Sequence, residues 1–249
     1  MSKLTLIEMT QDILNDLDSD AVNSINDTIE ALQVAQIIKT TYMSLMDGRH
    51  WPHLYEIFQL DALSDINHPV YLKIPETIVN VEWIKYNVRS ATDTKDKFSN
   101  ISYKQPIDFL SIVDARDSSA SNIQSVIDFS GVSLNIIKDK APQYFTSFDD
   151  EHIVFDSYNN AVDTTIQQSK TKGYGRRNTT FTLSDLFIPD LPVQAFSMLL
   201  SEAKATAFTI LKQTTNSKAE QHSVTQRRRM SQDAWKLVKG ITYPSYGRK

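Results

Sequence analysis

The apolar residues of this 249-residue chain change period twice, and that change constrains the fold more than any motif does. Near the N-terminus Leu6, Met9, Ile13, Leu14 and Leu17 recur every three or four positions, and Ile29, Leu32, Ala35, Ile38, Tyr42, Leu45 and Met46 do so again. This is the spacing of helices with one apolar face. From about His68 to Leu183 the pattern alternates instead, as in Val70, Leu72 and Ile74 around Tyr71 and Lys73, which suits strands. From Leu191-Pro192 helical spacing returns through Val193, Phe196, Leu199, Leu200, Ala203, Ala207, Ile210 and Leu211. A helix must bury its apolar stripe, and neither terminal set can do so alone. The order therefore predicts an α+β fold. N-terminal helices (residues 1–66) and one long C-terminal helix (189–239) form a helical bundle, a β-rich insertion (67–188) hangs from it, and an extended C-terminal arm (240–249) follows.

Local signals refine this outline. Thr5-x-x-Glu8 is a capping box, Glu30 follows Asp27 by three residues, and Gly48 sits where a helix would end. Asp18-x-Asp20-x-x-Asn23 lacks the glycine and closing glutamate of a calcium loop, so it reads as a connection closed by side-chain-to-backbone hydrogen bonds. His50 and His53 straddle Pro52 with no third ligand nearby, so Trp51 is expected to anchor the helix end instead. Within Ile78–Val88, the residues Val79, Val81 and Trp83 share one parity and Ile84, Tyr86 and Val88 the other, which predicts a bulge or a change of face where the neighbours alter. Pro106 starts a short helix through Phe109, Leu110 and Val113. Tyr144–Phe148 and His152–Tyr158 flank Asp149-Asp150-Glu151 as a hairpin, and Lys170–Thr180 reads as a polar, basic loop. With no glycine or proline between Pro192 and Gly240, the late helix is expected to run about 45 residues and to reach past its own domain.

Composition bounds the function. With 41% hydrophobic and 22% charged residues the chain is globular rather than disordered. No apolar run exceeds three residues, where a membrane helix needs about 20. Residues 1–10 hold one lysine and no small-residue cleavage site, so no signal peptide is expected. The absence of cysteine removes disulfides, thiol catalysis and Cys-ligated metals. Net charge is −4, but residues 218–249 carry eight Lys and Arg against two acids, a net of +6, which leaves −10 on the preceding 217. Such asymmetry suggests that the basic end engages an acidic surface.

Chemistry is sparse. Asp149, Asp150, Glu151, His152 and Asp156 form the best carboxylate cluster, but three of them are consecutive and diverge on an extended chain, so turn solvation is the favoured reading over a metal hydrolase site. Gly173-x-Gly175 lacks the rest of a phosphate loop, and neither a Gly-x-Ser-x-Gly elbow nor a His-Glu-x-x-His is present. No enzyme, cofactor or metal is expected. Lys170, Lys172, Arg176 and Arg177 beside Tyr174 make a basic, aromatic segment, and Arg227-Arg228-Arg229 radiate around a helix, which suits an end enclosed by partner surface better than groove reading.

Four blocks of sequence, namely 23–39, 144–158, Asn216-Ser-Lys-Ala-Glu-Gln221 and Tyr243-Pro-Ser-Tyr-Gly-Arg248, resemble the head-to-tail adaptor (connector, or tubular tail protein) family of short-tailed bacteriophages. The resemblance runs along nearly the whole chain. It implies a structural virion protein made in the host cytoplasm, twelve copies of which form a ring beneath the portal as a conduit for DNA, with a helical bundle, a β-rich insertion and a C-terminal arm that docks on the portal. The partners implied are other copies, the portal protein, a tail nozzle or tube protein and, transiently, genomic DNA, with no membrane. Residues for portal docking are Arg227, Arg228, Arg229, Trp235, Lys236, Tyr243, Tyr246 and Arg248, since aromatics and arginine dominate interfaces. Lys170, Lys172, Tyr174, Arg176 and Arg177 are candidates for contacting the next tail component. Two alternatives stand beside this: a tail-tube or nozzle subunit of the same tail, and a DNA-binding protein using segments 170–177 and 218–249.

Overall fold

A computed structural model describes residues 3–48, 50–89 and 93–239, and of residues 231–239 only the backbone. The first helix, α1 (Leu6–Asp16), starts at the predicted capping box: Glu8 N donates to Thr5 Oγ1 at 3.3 Å and Thr5 N to Glu8 Oε2 at 2.7 Å. Its buried side is Leu6, Met9, Ile13 and Leu14. The following connection is closed as expected, with Asp27 Oδ2 accepting from Asn23 N and Ser24 N. Thr28 then caps α2 (Ile29–Asp47), which ends at Gly48. Trp51 is 2% exposed and donates Nε1–H to Leu45 O, anchoring that end.

The chain divides into two compact units. The helical unit comprises residues up to Trp51 and those from Thr179 onward. In it α1 and α2 pack on each other and on α4 (Val193–Leu211), and α4 packs on α5 (Ser217–Lys239). Lys204 of α4 clamps α1 through Asp12 (2.9 Å) and Asp16 (2.7 Å). Burial alone would lower the Lys204 ammonium pKa, but the two carboxylates outweigh it and raise it.

The single helix expected over 189–239 is two helices. Nothing in the sequence of the break is a glycine or proline. Instead Gln213 takes a left-handed conformation (φ 52°), and Asn216 Oδ1 accepts from Ala219 N to cap the new helix. α5 folds back antiparallel on α4, fixed by Ser201 Oγ against His222 Nδ1 (2.8 Å) and by Glu202, which takes Ser223 Oγ (3.4 Å) and Arg227 Nε (3.1 Å). The last helix therefore closes on its own unit rather than projecting as one rod.

The strand-rich unit spans Pro52–Asn178, not 67–188. Residues 55–58 belong to it because they form a strand. Residues 179–191 leave it because they pack with the helices: Leu6 N donates to Phe187 O (2.8 Å), Ile25 N to Asp185 Oδ1 (2.8 Å), and Phe181 lies 5.4 Å from the Tyr42 ring. The strands are β1 (Tyr55–Phe58), β2 (Asp61–Ala62), β3 (Tyr71–Lys73), β4 (Ile78–Asn87), β5 (Phe98–Tyr103), β6 (Ile123–Ile127), β7 (Ser133–Ile137), β8 (Tyr144–Thr146), β9 (His152–Phe155) and β10 (Thr171–Arg177). Eight form one sheet in the order β1-β10-β4-β5-β8-β9-β3-β2, with β5 and β8 the parallel pair, and β6–β7 is a separate hairpin. The short helix α3 (Pro106–Asp114) packs on β7 and β8. The core includes Leu72, Ile84, Tyr86, Phe109, Val113, Leu134, Phe145 and Phe155.

Two sequence expectations meet at β10. Of the two expected causes of the parity switch, a bulge is present: Trp83 pairs with Tyr174 but Val81 pairs with Gly175, leaving Glu82 as the extra residue and setting Trp83 on the opposite face from Val81, not beside it. The polar loop expected over 170–180 is mostly strand. Its glycines are there because the chain is crowded: a Cβ on Gly173 would lie 2.5 Å from the Phe58 ring, and one on Gly175 would lie 2.4 Å from Asn80 O.

Candidate functional site

Side chains alternate along a strand, and antiparallel partners share a face. Thr171, Gly173 and Gly175 of β10 are buried, so Lys172, Tyr174 and Arg176 turn to the other side of the sheet. Their neighbours there follow from register: Lys85 opposite Lys172, Trp83 and Ile57 opposite Tyr174, Tyr55 opposite Arg176. Tyr174 is the centre of a stacked row, 5.6 Å from Tyr55 and 5.7 Å from Trp83 between ring centroids. Lys85 Nζ lies 5.0 Å from the Trp83 ring and Lys172 Nζ 3.8 Å from the Phe98 ring, both cation–π distances. Partial burial, then the nearby Glu82 carboxylate, raises the Tyr55 phenol above its ordinary value. Ile57, at 71% exposure, lies at the sheet edge of this face. The face is aromatic and cationic.

Of the five residues expected in this segment, three share that face. Lys170 precedes the strand and pairs with Asp163, while Arg177 follows a second register shift opposite Ile78. Sequence reasoning missed Tyr55, Trp83 and Lys85. Their partner strand was hidden by its glycines, and the bulge at Glu82 separates Trp83 from Val81, whose parity it shares in the sequence.

A second surface lies on the same unit. The β6–β7 loop, the β8–β9 turn and α3 enclose a groove of about 590 Å³. Leu110 and buried Leu134 lie beneath it, Phe129, Val132 and Phe148 form apolar walls, and Asp128 and Asp149 supply charge. Phe129 is 55% exposed yet held in place, stacked on His68 (4.4 Å) and tilted against His152 (5.0 Å). Each histidine is oriented by its own carboxylate, His68 Nδ1 to Asp65 and His152 Nδ1 to Asp149, both at 2.6 Å. Asp128 accepts from the Tyr71 hydroxyl (2.6 Å) and from Ser130 N (3.0 Å). Burial, then this hydrogen bond, pushes the Tyr71 phenol up. Burial works to raise Asp128 and Asp149, but the hydrogen bonds from Ser130 and Tyr71, and from His152, prevail and hold both carboxyls below their ordinary values. The His68 hydrogen bond lowers Asp65 likewise. These three carboxylates are therefore ionised at neutral pH. An apolar slot with an anionic rim suits an alkyl or aromatic group that carries a cation.

The acidic cluster does not converge. Asp149 turns to His152, whereas Asp156, with its side chain 4% exposed, binds Arg116 Nη2 at 3.1 Å and accepts from Gln143 N and Tyr144 N. Asp150 occupies the turn itself at φ 60°. Among the described residues no group of three or more His, Cys, Asp or Glu is placed to hold a metal ion, and no helix is long and apolar enough to cross a membrane.

The arginine triplet divides. Arg227 is paired with Glu202 across the helix hairpin, while Arg228 and Arg229 are exposed. Trp235 and Lys236 lie within α5, described as backbone, and Tyr243, Tyr246 and Arg248 lie outside the described residues. The chain matches no protein-family model and no curated protein.

Proposed function

We propose that this chain is a structural subunit of a short-tailed bacteriophage virion, a head-to-tail adaptor that forms a ring between portal and tail through which DNA passes. The observation that carries the reading is the late helix α5. It packs on the helical unit along its first turns, exposes Arg228 and Arg229, and leads into a terminal peptide rich in tyrosine and basic residues. In this reading the helices of both chain ends form the bundle that builds the ring. The segment from Arg228 to Lys249 docks on the portal, with Trp235, Tyr243 and Tyr246 as apolar anchors and the cations as rim. The first 217 residues, at −10, suit a conduit, because a basic lumen would hold phosphate where an acidic one lets it slide.

Deleting residues 230–249 should leave a folded subunit, by circular dichroism and cooperative melting, that no longer co-sediments with portal rings. Undiminished portal binding by the truncated chain overturns the reading. Co-sedimentation with tail tube or nozzle in place of portal reassigns the chain within the tail. The aromatic, cationic face of β1, β10 and β4 favours one competitor, a DNA-binding protein. That reading predicts tight duplex binding whose affinity falls steeply with salt, so absence of a mobility shift at low salt removes it.

A further inference from the structure

The strand-rich unit carries two exposed surfaces of opposite chemistry. One is the Tyr55, Trp83 and Tyr174 row with Lys85, Lys172 and Arg176. The other is the groove walled by Phe129, Val132 and Phe148 and rimmed by Asp128 and Asp149. Neither is covered in the single chain: Ile57, Phe129 and Val132 are each more than half exposed. We propose that the aromatic, cationic sheet face of one copy docks into the apolar, acid-rimmed groove on the strand-rich unit of a second copy. The inference rests on the reading of the chain as a ring subunit, and it names the surfaces by which neighbours meet.

Charge and polarity set the match. The groove offers apolar walls to ring and alkyl surface and carboxylates to the Lys85 and Lys172 ammonium groups, and the sheet face supplies both. The two patches are different parts of one unit, so the contact is heterologous. Each copy has one of each, and the contact repeats until a ring closes. A nucleic acid fits the sheet face less well. Base stacking needs free ring faces, yet Tyr174 is stacked between Tyr55 and Trp83.

Two substitutions on the full chain test this by sedimentation velocity. Val132→Lys puts a cation in the groove and leaves the sheet face intact; Lys172→Glu reverses a charge on the sheet face and leaves the groove intact. Each should weaken self-association at least about tenfold, the loss expected for a repulsive charge at a contact. Mixed together, the two variants should associate again at a 1:1 ratio, since each retains the surface the other lacks and the two introduced charges are of opposite sign. Val132→Glu makes the same steric change without the repulsive charge and should keep self-association, which separates docking from damage to the fold. Wild-type association by Val132→Lys or Lys172→Glu overturns the proposal, as does a mixture that stays monomeric or a wild-type chain that stays monomeric at the highest concentration reached. Binding of an oligothymidylate that Lys172→Glu abolishes, with sedimentation of the protein unchanged, overturns it in favour of a nucleic-acid platform. Portal binding is scored separately. Its failure with the 1:1 association intact removes the adaptor reading and leaves the contact standing. Portal-bound rings formed normally by both variants remove the contact and leave the adaptor reading.

Discussion

Gly175 carries more of the sheet than its size suggests. It lets β10 lie against β4 where a side chain would meet the Asn80 carbonyl oxygen at 2.4 Å, and backbone cannot yield as a flexible side chain can. Gly175→Ala should therefore destabilise the protein by about 1–3 kcal/mol, the usual cost of overpacking, seen as a lower urea midpoint at unchanged slope. An unchanged midpoint would falsify the claim that close approach is what requires glycine there. The same residue shows why the site was only half legible. In isolation Gly173-Tyr-Gly175 between basic residues reads as a loop, because glycine signals a turn far more often than a crowded strand. The crowding atoms, Phe58 and Asn80, are over ninety residues away in sequence. The capping box at Thr5 and the anchor at Trp51 were legible because their partners lie within six residues.

At the scale of elements, the break between α4 and α5 shows where periodicity loses its force. The segment Lys212–Asn216 has neither glycine nor proline, yet polar residues that bond to backbone compete with helix, and here the competition is decided by packing of α5 on α4. Gln213 sits at φ 52° without the glycine that such a position prefers. Gln213→Gly should raise stability by up to about 1 kcal/mol, and Gln213→Val should lower it, both read from chemical denaturation. Destabilisation by glycine would mean that the glutamine side chain itself holds the turn. The parity switch in β4, by contrast, was legible from the sequence, since inserting one residue carries an alternating apolar set from one face of a strand to the other, but its position at Glu82 came only with the register of β10.

For the whole molecule, the strand-rich unit enters by β1 and leaves by β10, and these strands are neighbours, with Tyr55 opposite Arg176. The two ends of the insertion are thus side by side, a geometry that tolerates excision. Residues 52–178 expressed alone should melt cooperatively, and the helical unit should still fold when a short Gly-Ser linker replaces them. A non-cooperative transition in the isolated 52–178 segment would show that it needs the helices for its core. The overall α+β order, helices then strands then helices, followed directly from the period of the apolar residues, whereas the division at 52 and 178 depended on contacts that periodicity does not encode, such as Asp185 with Ile25.

The reversal at Gln213 also has a mechanical side. A rod of about 45 residues would be roughly 70 Å long at 1.5 Å per residue, and tension on its tip would be borne along its axis. With α5 lying back along α4, tension applied beyond Lys239 arrives at the open mouth of the hairpin instead. It strips α5 away turn by turn, reaching Arg227 and its Glu202 partner before His222 and Ser201. Unzipping loads one contact at a time, so the pair would yield gradually where a single rod would bear the whole load at once.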